Sequence, residues 1–242
     1  MVSIRALIKA FLTDPLSLMV FVFGRPNGNI LDVGCGDGSR FETIRYLAKS
    51  SARVDDVIVT ATGIDAYVPS IKGATVYDER IIACVVALPL RDMSFDTALC
   101  TEVIEHLEKD KATTLLNELR RVAGRVILTT PNGHYQQHAD INPMQEHKSF
   151  YTPSDFKRWG LATSGIGIRG FFGGEGFVNR IRFGIIRKVM WMMYIGATPL
   201  TSKWPRFCGQ IIATGWDSAS MVDFFSQGVR SPLETQIPPQ EI

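Results

Sequence analysis

A glycine-rich turn is the first place in this sequence where a ligand could bind. A short apolar run ends at Asp32, and glycine then occupies every second position from Gly34 to Gly38. Glycine accepts the positive φ of a tight turn and lets a ligand approach the backbone closely. A helix is predicted to begin at Ser39, with Glu42 completing a capping box, and its free N–H groups favour an anionic group. This strand–turn–helix pattern is typical of the nucleotide-binding corner of a doubly wound α/β sheet.

Two carboxylates and an imidazole form a second cluster. Glu102, Glu105 and His106 stand at positions i, i+3 and i+4, so on a helix they would share one face. Three interpretations are open. The acidic residues favour the N-terminus of a helix, His106 suits a general base because its pKa lies near neutral pH, or the three side chains hold a metal ion.

Further motifs follow in order along the chain. A second apolar strand ends at Asp65, whose carboxylate can accept hydrogen bonds from ribose hydroxyls. The string Leu-Pro-Leu-Arg-Asp-Met-Ser-Phe-Asp then starts at Leu88, and Glu-Val-Ile-Glu-His-Leu starts at Glu102. Together with the Asp-x-Gly-x-Gly-x-Gly turn, these motifs resemble the class I S-adenosylmethionine-dependent methyltransferases over residues 30–131.

That resemblance implies that the glycine turn binds S-adenosylmethionine. Asp32 would orient the amino group of the cofactor, and Asp65 would accept the ribose hydroxyls. Gly34, Cys35 and Gly36 would pass under the methionine and ribose portions.

The adenine side of the cofactor is implied in less detail. The further cofactor-binding residues that the resemblance implies are Ala66, Val85, Val86 and Thr101, with Tyr67 as an alternative to Ala66 beside adenine. Cys84 stands where the family usually has an acidic residue, so adenine N6 lacks that carboxylate partner.

The second cluster resembles the metal-dependent branch of the family, seen in small-RNA 2′-O-methyltransferases and quinone-biosynthesis O-methyltransferases. Carried over, the ligands of a Mg²⁺ or Mn²⁺ ion would be Glu102, Glu105, His106 and His147, and the ion would act as a Lewis acid on an acceptor hydroxyl. Without a metal, the candidate catalytic residues are His106 and Glu102. The other two histidines, His134 and His138, are expected at the loop surface or in contact with the substrate.

Alternating apolar strands and helices predict the fold. It is an α/β fold, a doubly wound, Rossmann-like and mainly parallel sheet with helices on both faces. By the resemblance it has seven strands, of which the last is antiparallel. Strands are predicted at 30–33, 57–64, 81–86, 95–100, 125–130, 166–172 and 207–216, and helices at 39–50, 102–107 and 110–122.

The chain is predicted to form a single methyltransferase domain over residues 1–230. Residues 1–25 hold one or two helices, on which Ile4, Leu7, Ile8 and Phe11 share an apolar face. The tail 231–242 is predicted to be disordered.

Charge and hydropathy single out an insertion at residues 173–206. The stretch 157–206 holds nine Lys or Arg residues and one acidic residue, so it carries +8, and the net charge of +2 leaves −6 for the rest of the chain. Val189 to Leu200 is nearly all apolar but shorter than the roughly 20 residues of a membrane span. A substrate lid, a buried helix and peripheral membrane contact through residues 180–200 remain open.

The expected function is S-adenosylmethionine-dependent O-methylation of a small or lipid-like acceptor. One alternative is an RNA 2′-O-methyltransferase with a divalent metal, in which Trp159, Phe171 and Phe172 would stack on bases. The other is a catalytically inactive S-adenosylmethionine-binding protein. The four cysteines form no Cys-x-x-Cys pair, which favours a reduced, cytoplasmic protein. Membrane association of this protein is the alternative that residues 180–200 leave open. Neither the methyl acceptor nor the oligomeric state follows from the sequence.

Overall fold

The computed structural model describes residues 2–51, 57–134, 142–169, 189, 192–194 and 196–216. Seven strands within these ranges form one sheet, in the order β3-β2-β1-β4-β5-β7-β6. The strands are β1 (Gly28–Val33), β2 (Ile58–Asp65), β3 (Glu79–Ile82), β4 (Phe95–Thr101), β5 (Ala123–Pro131), β6 (Ala162–Ile166) and β7 (Gln210–Trp216).

The pairing of the strands confirms the predicted fold class. The strands from β3 to β5 pair in parallel, whereas β7 is antiparallel to both β5 and β6. The parallel strands β1, β2, β4 and β5 therefore end at one edge of the sheet. Because Gln210 pairs with Pro131, β7 begins at this same edge. Ligands of open α/β sheets bind at this carboxyl edge.

Helices cover both faces of the sheet, as predicted. Alternate residues of β1 serve the two faces, since Leu31 and Val33 belong to one buried cluster and Ile30 to the other. The helices are α1 (Ile4–Thr13), α2 (Pro15–Met19), α3 (Ser39–Lys49), α4 (Val68–Gly73), α5 (Lys111–Val122), α6 (Pro153–Arg158) and α7 (Thr198–Lys203). Helices α1 to α3 contribute to the cluster that contains Ile30, and α5 and α6 to the cluster that contains Leu31.

Two strands, β3 and β6, differ from their predicted bounds by four residues or more at one end or both. β3 covers 79–82 and not 81–86, because the chain turns at Cys84, whose carbonyl accepts a hydrogen bond from the N–H of Ala87. β6 covers 162–166 and not 166–172, because Gly167 adopts a positive φ of 60° that a strand does not allow.

The predicted apolar face of α1 is only partly buried: Leu7 and Phe11 pack against the core cluster that contains Ala6 and Ala10, but Ile4 and Ile8 do not. Ile4 and Ile8 are 74% and 55% exposed, whereas Ala6 and Ala10 are buried. Helix α1 packs against α2 and α3 through this small-residue side, which allows a close approach.

Part of the predicted C-terminal half lies outside the described residues. This applies to 170–188 within and before the insertion, and to the tail 231–242. Among the residues that are described, no helix combines the length and apolar character needed to cross a bilayer.

Candidate active site

The three glycines of the first turn have different tasks. Gly34, Gly36 and Gly38 all have positive φ angles, of 73°, 55° and 81°. A Cβ on Gly34 would lie 2.3 Å from Val103, and one on Gly38 would lie 2.6 Å from Val76, so both positions are needed for packing. A Cβ on Gly36 would meet no described atom within 4 Å. Gly36 therefore marks the place where a ligand can approach the backbone.

Helix α3 begins at Ser39, as predicted, but without the predicted capping box. Its N-cap is Gly38, and no described side chain caps the helix from that position. The N–H of Ser39 instead donates to the Asp37 carboxylate, at 3.0 Å. The positive φ of Gly38 turns the chain into the helix one residue before a Ser39 cap would do so.

Asp65 fixes the glycine turn from the neighbouring strand. One carboxylate oxygen accepts the N–H of Gly36 at 2.8 Å, and the other accepts the N–H of Tyr67 at 2.7 Å. The N–H groups of Gly34 and Cys35 both donate to the carbonyl of Ile64, the residue before Asp65. The carboxylate thus lies at the carboxyl edge, next to the open side of Gly36.

Asp32 is buried beneath the same turn, with half of its carboxylate engaged. Oδ2 accepts a 2.6 Å hydrogen bond from the hydroxyl of Tyr77. Oδ1 is buried and has no hydrogen-bond partner among the described residues. Burial raises the pKa of Asp32 to about 6, although the Tyr77 hydrogen bond lowers it. A buried oxygen of this kind favours a ligand that donates a hydrogen bond.

Tyr77 was not singled out in the sequence. Its ring stacks on Phe41 with centroids 5.1 Å apart and lies under Gly63 and Gly38, where any side chain would collide with it. The ring is therefore held in one orientation, and its hydroxyl fixes the Asp32 carboxylate. Glycine at position 63 of a buried strand was the available signal, because it marks a place where another group comes close.

The prediction of a helix over 102–107 was wrong for Glu102. β4 ends at Thr101, Glu102 has a φ of +57°, and only Ile104–His106 form a short 3₁₀ turn. Glu102 therefore does not share a helical face with Glu105. Its Oε1 accepts the hydroxyl of Thr129 at 2.9 Å, and its Oε2 accepts the amide of Gln210 at 3.1 Å.

Glu102 thereby joins the ends of three strands. Thr129 belongs to β5 and Gln210 is the first residue of β7, while Glu102 directly follows β4. The two partners are 27 and 108 residues away in sequence. A strained left-handed backbone at a non-glycine residue is kept where the surrounding structure enforces it, and often at functional sites.

Glu105, His106 and His147 meet at the carboxyl edge. One ligand atom from each side chain lies within 4.8 Å of the others, and this is the group of three in the described part of the chain that could hold a metal ion. Glu102 is not in it. The cluster lies near the glycine turn, because Val103 packs directly against Gly34.

Glu105 is the buried member of the cluster. It is 2% exposed, and its Oε2 accepts the hydroxyl of Thr130 at 3.0 Å. Its Oε1 is buried without a hydrogen-bond partner in the described ranges. Burial, and then the neighbouring Glu102 carboxylate, raise the pKa of Glu105 well above its ordinary value. An unpaired buried oxygen is costly, and a cation would satisfy it.

The tautomer of His106 follows from its contact. Its Nδ1 lies 3.2 Å from the carbonyl oxygen of Glu146, and a carbonyl can only accept, so Nδ1 carries the proton. In this tautomer Nε2 is unprotonated. Burial lowers the pKa of His106, so the imidazole is neutral near neutral pH. The Glu146 carbonyl orients the His106 ring, in the way that a backbone carbonyl often orients a histidine that binds a metal.

The loop that carries His147 is fixed to the cluster by its backbone. The N–H groups of Lys148 and Ser149 both donate to the carbonyl of Glu105, at 2.9 and 3.0 Å. The His106 and His147 rings lie 4.9 Å apart. His134 lies elsewhere in the loop, against the ring of Phe150, and His138 is outside the described residues.

The remaining predicted cofactor residues lie at the same edge of the sheet. Thr101 is buried at the end of β4, and Ala66 follows Asp65. Val85 is buried in the core, with Val86 partly buried against it. Cys84 is exposed and follows the end of β3. The contacts described for these residues do not show which of them would lie beside adenine.

A side-chain network braces the Leu88–Leu90 segment that follows these valines. Glu118 accepts the N–H of Leu88 at 2.7 Å, and Arg121 donates to the carbonyls of Leu88 and Leu90. Glu118 and Arg121 also pair with each other. Helix α5 therefore determines where this loop lies relative to the strand ends.

Residues 5–163, about two thirds of the chain, match the family described as methyltransferase domain. This chain belongs to that family. Residues 5–163 form an S-adenosylmethionine-dependent methyltransferase domain.

Individual relatives of this methyltransferase are distant. It is 28% identical over 131 residues to the uncharacterized protein MJ0638 of Methanocaldococcus jannaschii, an alignment covering 53% of this chain and 51% of that protein. The chain thus spans about half the length of this relative. Among the similar solved structures is an S-adenosylmethionine-dependent methyltransferase from Archaeoglobus fulgidus, with a TM-score of 0.51 and 15% identity, which covers 84% of this chain and 94% of that one. Another is the small RNA methyltransferase HEN1, with a TM-score of 0.52 and 16% identity, which covers 89% of this chain and 26% of that one. At such identities the similarity shows a shared fold.

The glycine turn of the methyltransferase fits its cofactor. The space over Gly36 is open, Asp32 has a buried oxygen that a donor such as an ammonium group would satisfy, and Asp65 bonds to the N–H of Gly36. When bound, S-adenosylmethionine supplies an electrophilic methyl group on a sulfonium. The protein has to hold that group in line with an acceptor atom and to accept the proton that the acceptor loses.

Proposed function

We propose that this methyltransferase acts on a hydroxyl of a small or lipid-like acceptor and that a divalent cation assists it. The observation that carries the proposal is the cluster of Glu105, His106 and His147 at the carboxyl edge. A hydroxyl needs to lose its proton to become a good nucleophile, and a cation or a neutral imidazole can provide for that.

The donor set of the cluster fits Mg²⁺ or Mn²⁺. One buried carboxylate and two imidazoles form a mixed oxygen and nitrogen set. In an octahedral Mg²⁺ site, adjacent ligands lie about 3 Å apart and opposite ones about 4.2 Å apart, so the three ligand atoms, which lie within 4.8 Å of one another, need only a small rearrangement to bind one ion. Oε1 of Glu105 is buried and has no described hydrogen-bond partner, so a bound cation would stabilise this oxygen most.

The chemistry divides among the residues as follows. A cation held by Glu105, His106 and His147 would supply Lewis acidity that lowers the pKa of the acceptor hydroxyl. Thr130 fixes the Glu105 carboxylate, and the Glu146 carbonyl fixes the His106 ring. In a metal-free site, Nε2 of His106 would accept the hydroxyl proton itself, because Nδ1 already carries one. Glu102 holds three strand ends together in both cases.

Two exposed phenylalanines and a nearby arginine support a lipid-like acceptor. Phe150 and Phe207 are each 54% exposed, and the guanidinium of Arg169 lies against Gly133 at the end of β5. The N–H of Arg169 donates to the carbonyl of Phe207. An apolar rim with a nearby cation suits an acceptor with an apolar body and an anionic group.

RNA 2′-O-methylation is the second candidate, because a cluster of this kind would serve a ribose hydroxyl equally well. The small RNA methyltransferase HEN1 shares the fold. One of the predicted stacking residues, Trp159, does not favour this candidate. Trp159 packs against Tyr151 and Phe156, with centroids 5.8 and 5.5 Å apart, and Phe171 and Phe172 lie outside the described residues.

The test is a methyl-transfer screen with labelled S-adenosylmethionine and separate lipid, quinone, glycan and RNA extracts. We expect the label in the lipid or quinone fraction, its loss in EDTA, and its return on addition of Mg²⁺ or Mn²⁺. Label confined to RNA would replace the lipid-like acceptor with the second candidate. Turnover that is unaffected by EDTA would contradict the cation and leave His106 as the base.

Cofactor affinity is predicted to depend on the protonation of Asp32. An ammonium group binds the ionised carboxylate, so a proton competes with it once the pH falls below the raised pKa of about 6. Affinity for S-adenosylhomocysteine should fall about tenfold for each pH unit below that value, and stay level above it. Calorimetric titration between pH 5 and pH 8 measures this profile.

Tyr77→Phe and Asp32→Asn separate the causes of this dependence. Because the Tyr77 hydrogen bond lowers the pKa of Asp32, its loss should move the decline in affinity to higher pH and leave the high-pH affinity nearly unchanged. Asp32→Asn should bind weakly at every pH. An unshifted profile in Tyr77→Phe would show that the hydroxyl does not act through Asp32.

A further inference from the structure

Among the described residues of the segment 189–207, six apolar side chains face outward and two threonines are buried. Its outward-facing apolar residues, each 50–60% exposed, are Val189, Met192, Met193, Leu200, Trp204 and Phe207. Thr198 and Thr201 are buried, where Thr198 accepts the N–H of Gly167 and Thr201 donates to the carbonyl of Gly165. This is the reverse of the pattern expected for a helix that is covered only by water.

The outward face is fixed, because the segment is tied to the sheet from beneath. The amide of Asn132, just after β5, donates to the carbonyl of Cys208 at 2.8 Å, and also approaches those of Pro205 and Arg206. Tyr194 is buried in the core cluster on the same face as α1 and α3. The exposed apolar residues are therefore a property of the folded domain.

Basic residues stand among these apolar side chains. Lys203 and Arg206 are exposed on either side of Trp204, and the Arg206 guanidinium lies 4.5 Å from the centre of the Phe207 ring. The sequence from 189 to 207 contains no acidic residue. Indole, thioether and phenyl groups beside cations match the boundary between lipid headgroups and acyl chains, where apolar groups insert and basic groups meet phosphate.

We propose that these eight residues, the 189–207 surface, dock the methyltransferase on an anionic phospholipid bilayer. The surface adjoins the candidate active site, since Gln210 follows it directly and bonds to Glu102, and Arg169 bonds to Phe207. A lipid-like acceptor would then reach the site from the bilayer without crossing water. This last step rests on the proposed function, whereas docking itself does not.

The experiment is co-sedimentation of the full chain with phosphatidylcholine vesicles, with and without phosphatidylglycerol. It needs neither methyl donor nor acceptor, so docking and the proposed function can fail separately. We expect binding to the anionic vesicles, at least about tenfold weaker binding to the neutral ones, and weakening by salt. Equal binding to both vesicle types, or to neither, would overturn the proposal.

Two variants assign the binding to the surface. Trp204→Ser with Phe207→Ser removes insertion, and Lys203→Ala with Arg206→Ala removes charge, so each pair should reduce vesicle binding about tenfold or more. The matched control is Ile82→Ser, which removes an equally exposed apolar side chain from β3 at the opposite end of the sheet. Calorimetric binding of S-adenosylhomocysteine verifies that each variant is folded.

Two further outcomes would overturn the assignment of the 189–207 surface to the bilayer. Full vesicle binding by both paired variants would exclude this surface as the docking site. A wild-type dimer in solution that Trp204→Ser with Phe207→Ser converts to a monomer, with no vesicle binding by either, would identify a second copy of the chain as the occupant.

Discussion

Asp65→Ala is expected to weaken binding of S-adenosylhomocysteine by about 100-fold. The family resemblance implies that this carboxylate accepts ribose hydroxyls, and each hydrogen bond to a charged group contributes about 1.5 to 3 kcal/mol. Its loss also releases the N–H groups of Gly36 and Tyr67, which loosens the turn under the cofactor. Isothermal titration calorimetry measures the change in Kd.

A 2′-deoxyribose analogue of S-adenosylhomocysteine separates these two causes. If Asp65 binds the ribose, the analogue should lose affinity for the wild type but little more for Asp65→Ala, because the losses share one interaction and do not add. Additive losses would leave Asp65 with a purely structural role.

Asp96→Ala is the matched control for Asp65→Ala. Asp96 also accepts a backbone N–H, that of Asn29 at 2.7 Å, but at the start of β4 and therefore at the opposite edge of the sheet. It should leave Kd within about twofold of the wild type. A folded Asp65→Ala that binds as tightly as Asp96→Ala would remove Asp65 from the cofactor site.

Glu105→Gln should lower turnover by about 100-fold or more, with cofactor affinity unchanged. Glutamine keeps the size of the side chain and an oxygen for the Thr130 hydroxyl, but it lacks the anionic oxygen that a divalent cation requires. Loss of a second-shell partner alone typically costs 10- to 100-fold in metal affinity or activity, so loss of a direct ligand should cost at least as much. Direct titration with Mn²⁺ tests the site independently of any acceptor.

Two histidine variants complete this test. His147→Ala removes a predicted ligand, whereas His134→Ala removes a histidine that packs on Phe150 and lies outside the cluster. We expect only His147→Ala to abolish Mn²⁺ binding. Equal Mn²⁺ affinity in both variants and the wild type would eliminate the cation site, and full turnover by Glu105→Gln would exclude any essential role for Glu105.

Local patterns in the sequence were sufficient for most of the fold. The strands at 28–33, 58–65 and 95–101 and the helices at 39–49 and 111–122 fall close to their predicted ranges. Each has a strong apolar period and a clear terminal signal, such as the glycine turn after Asp32. The cofactor turn was predictable for the same reason, because its chemistry lies in one continuous stretch.

The second cluster was predictable in its members but not in its arrangement. The spacing of Glu102, Glu105 and His106 fits a helix, yet Glu102 sits in a left-handed conformation after β4. Its partners Thr129 and Gln210 come from distant strands. Helical periodicity records only local spacing, so tertiary contacts of this kind are invisible to it.

Tyr77 and Gln210 escaped prediction for a related reason. Each is a lone polar residue whose importance depends on a partner far along the chain, Asp32 in one case and Glu102 in the other. Paired threonines at the end of β5, Thr129 and Thr130, gave a weak signal, since hydroxyls at the end of a buried strand need acceptors.

The hydrogen bonds from Lys148 and Ser149 to the Glu105 carbonyl affect how freely the preceding loop can change in sequence. They anchor one end of the loop at the cluster, and Asn132 anchors the other end to the residues before β7. Length and composition between these anchors can therefore change at small cost in loop-closure entropy. Substitutions between the anchors can accumulate while these hydrogen bonds keep the Glu105, His106 and His147 cluster in place.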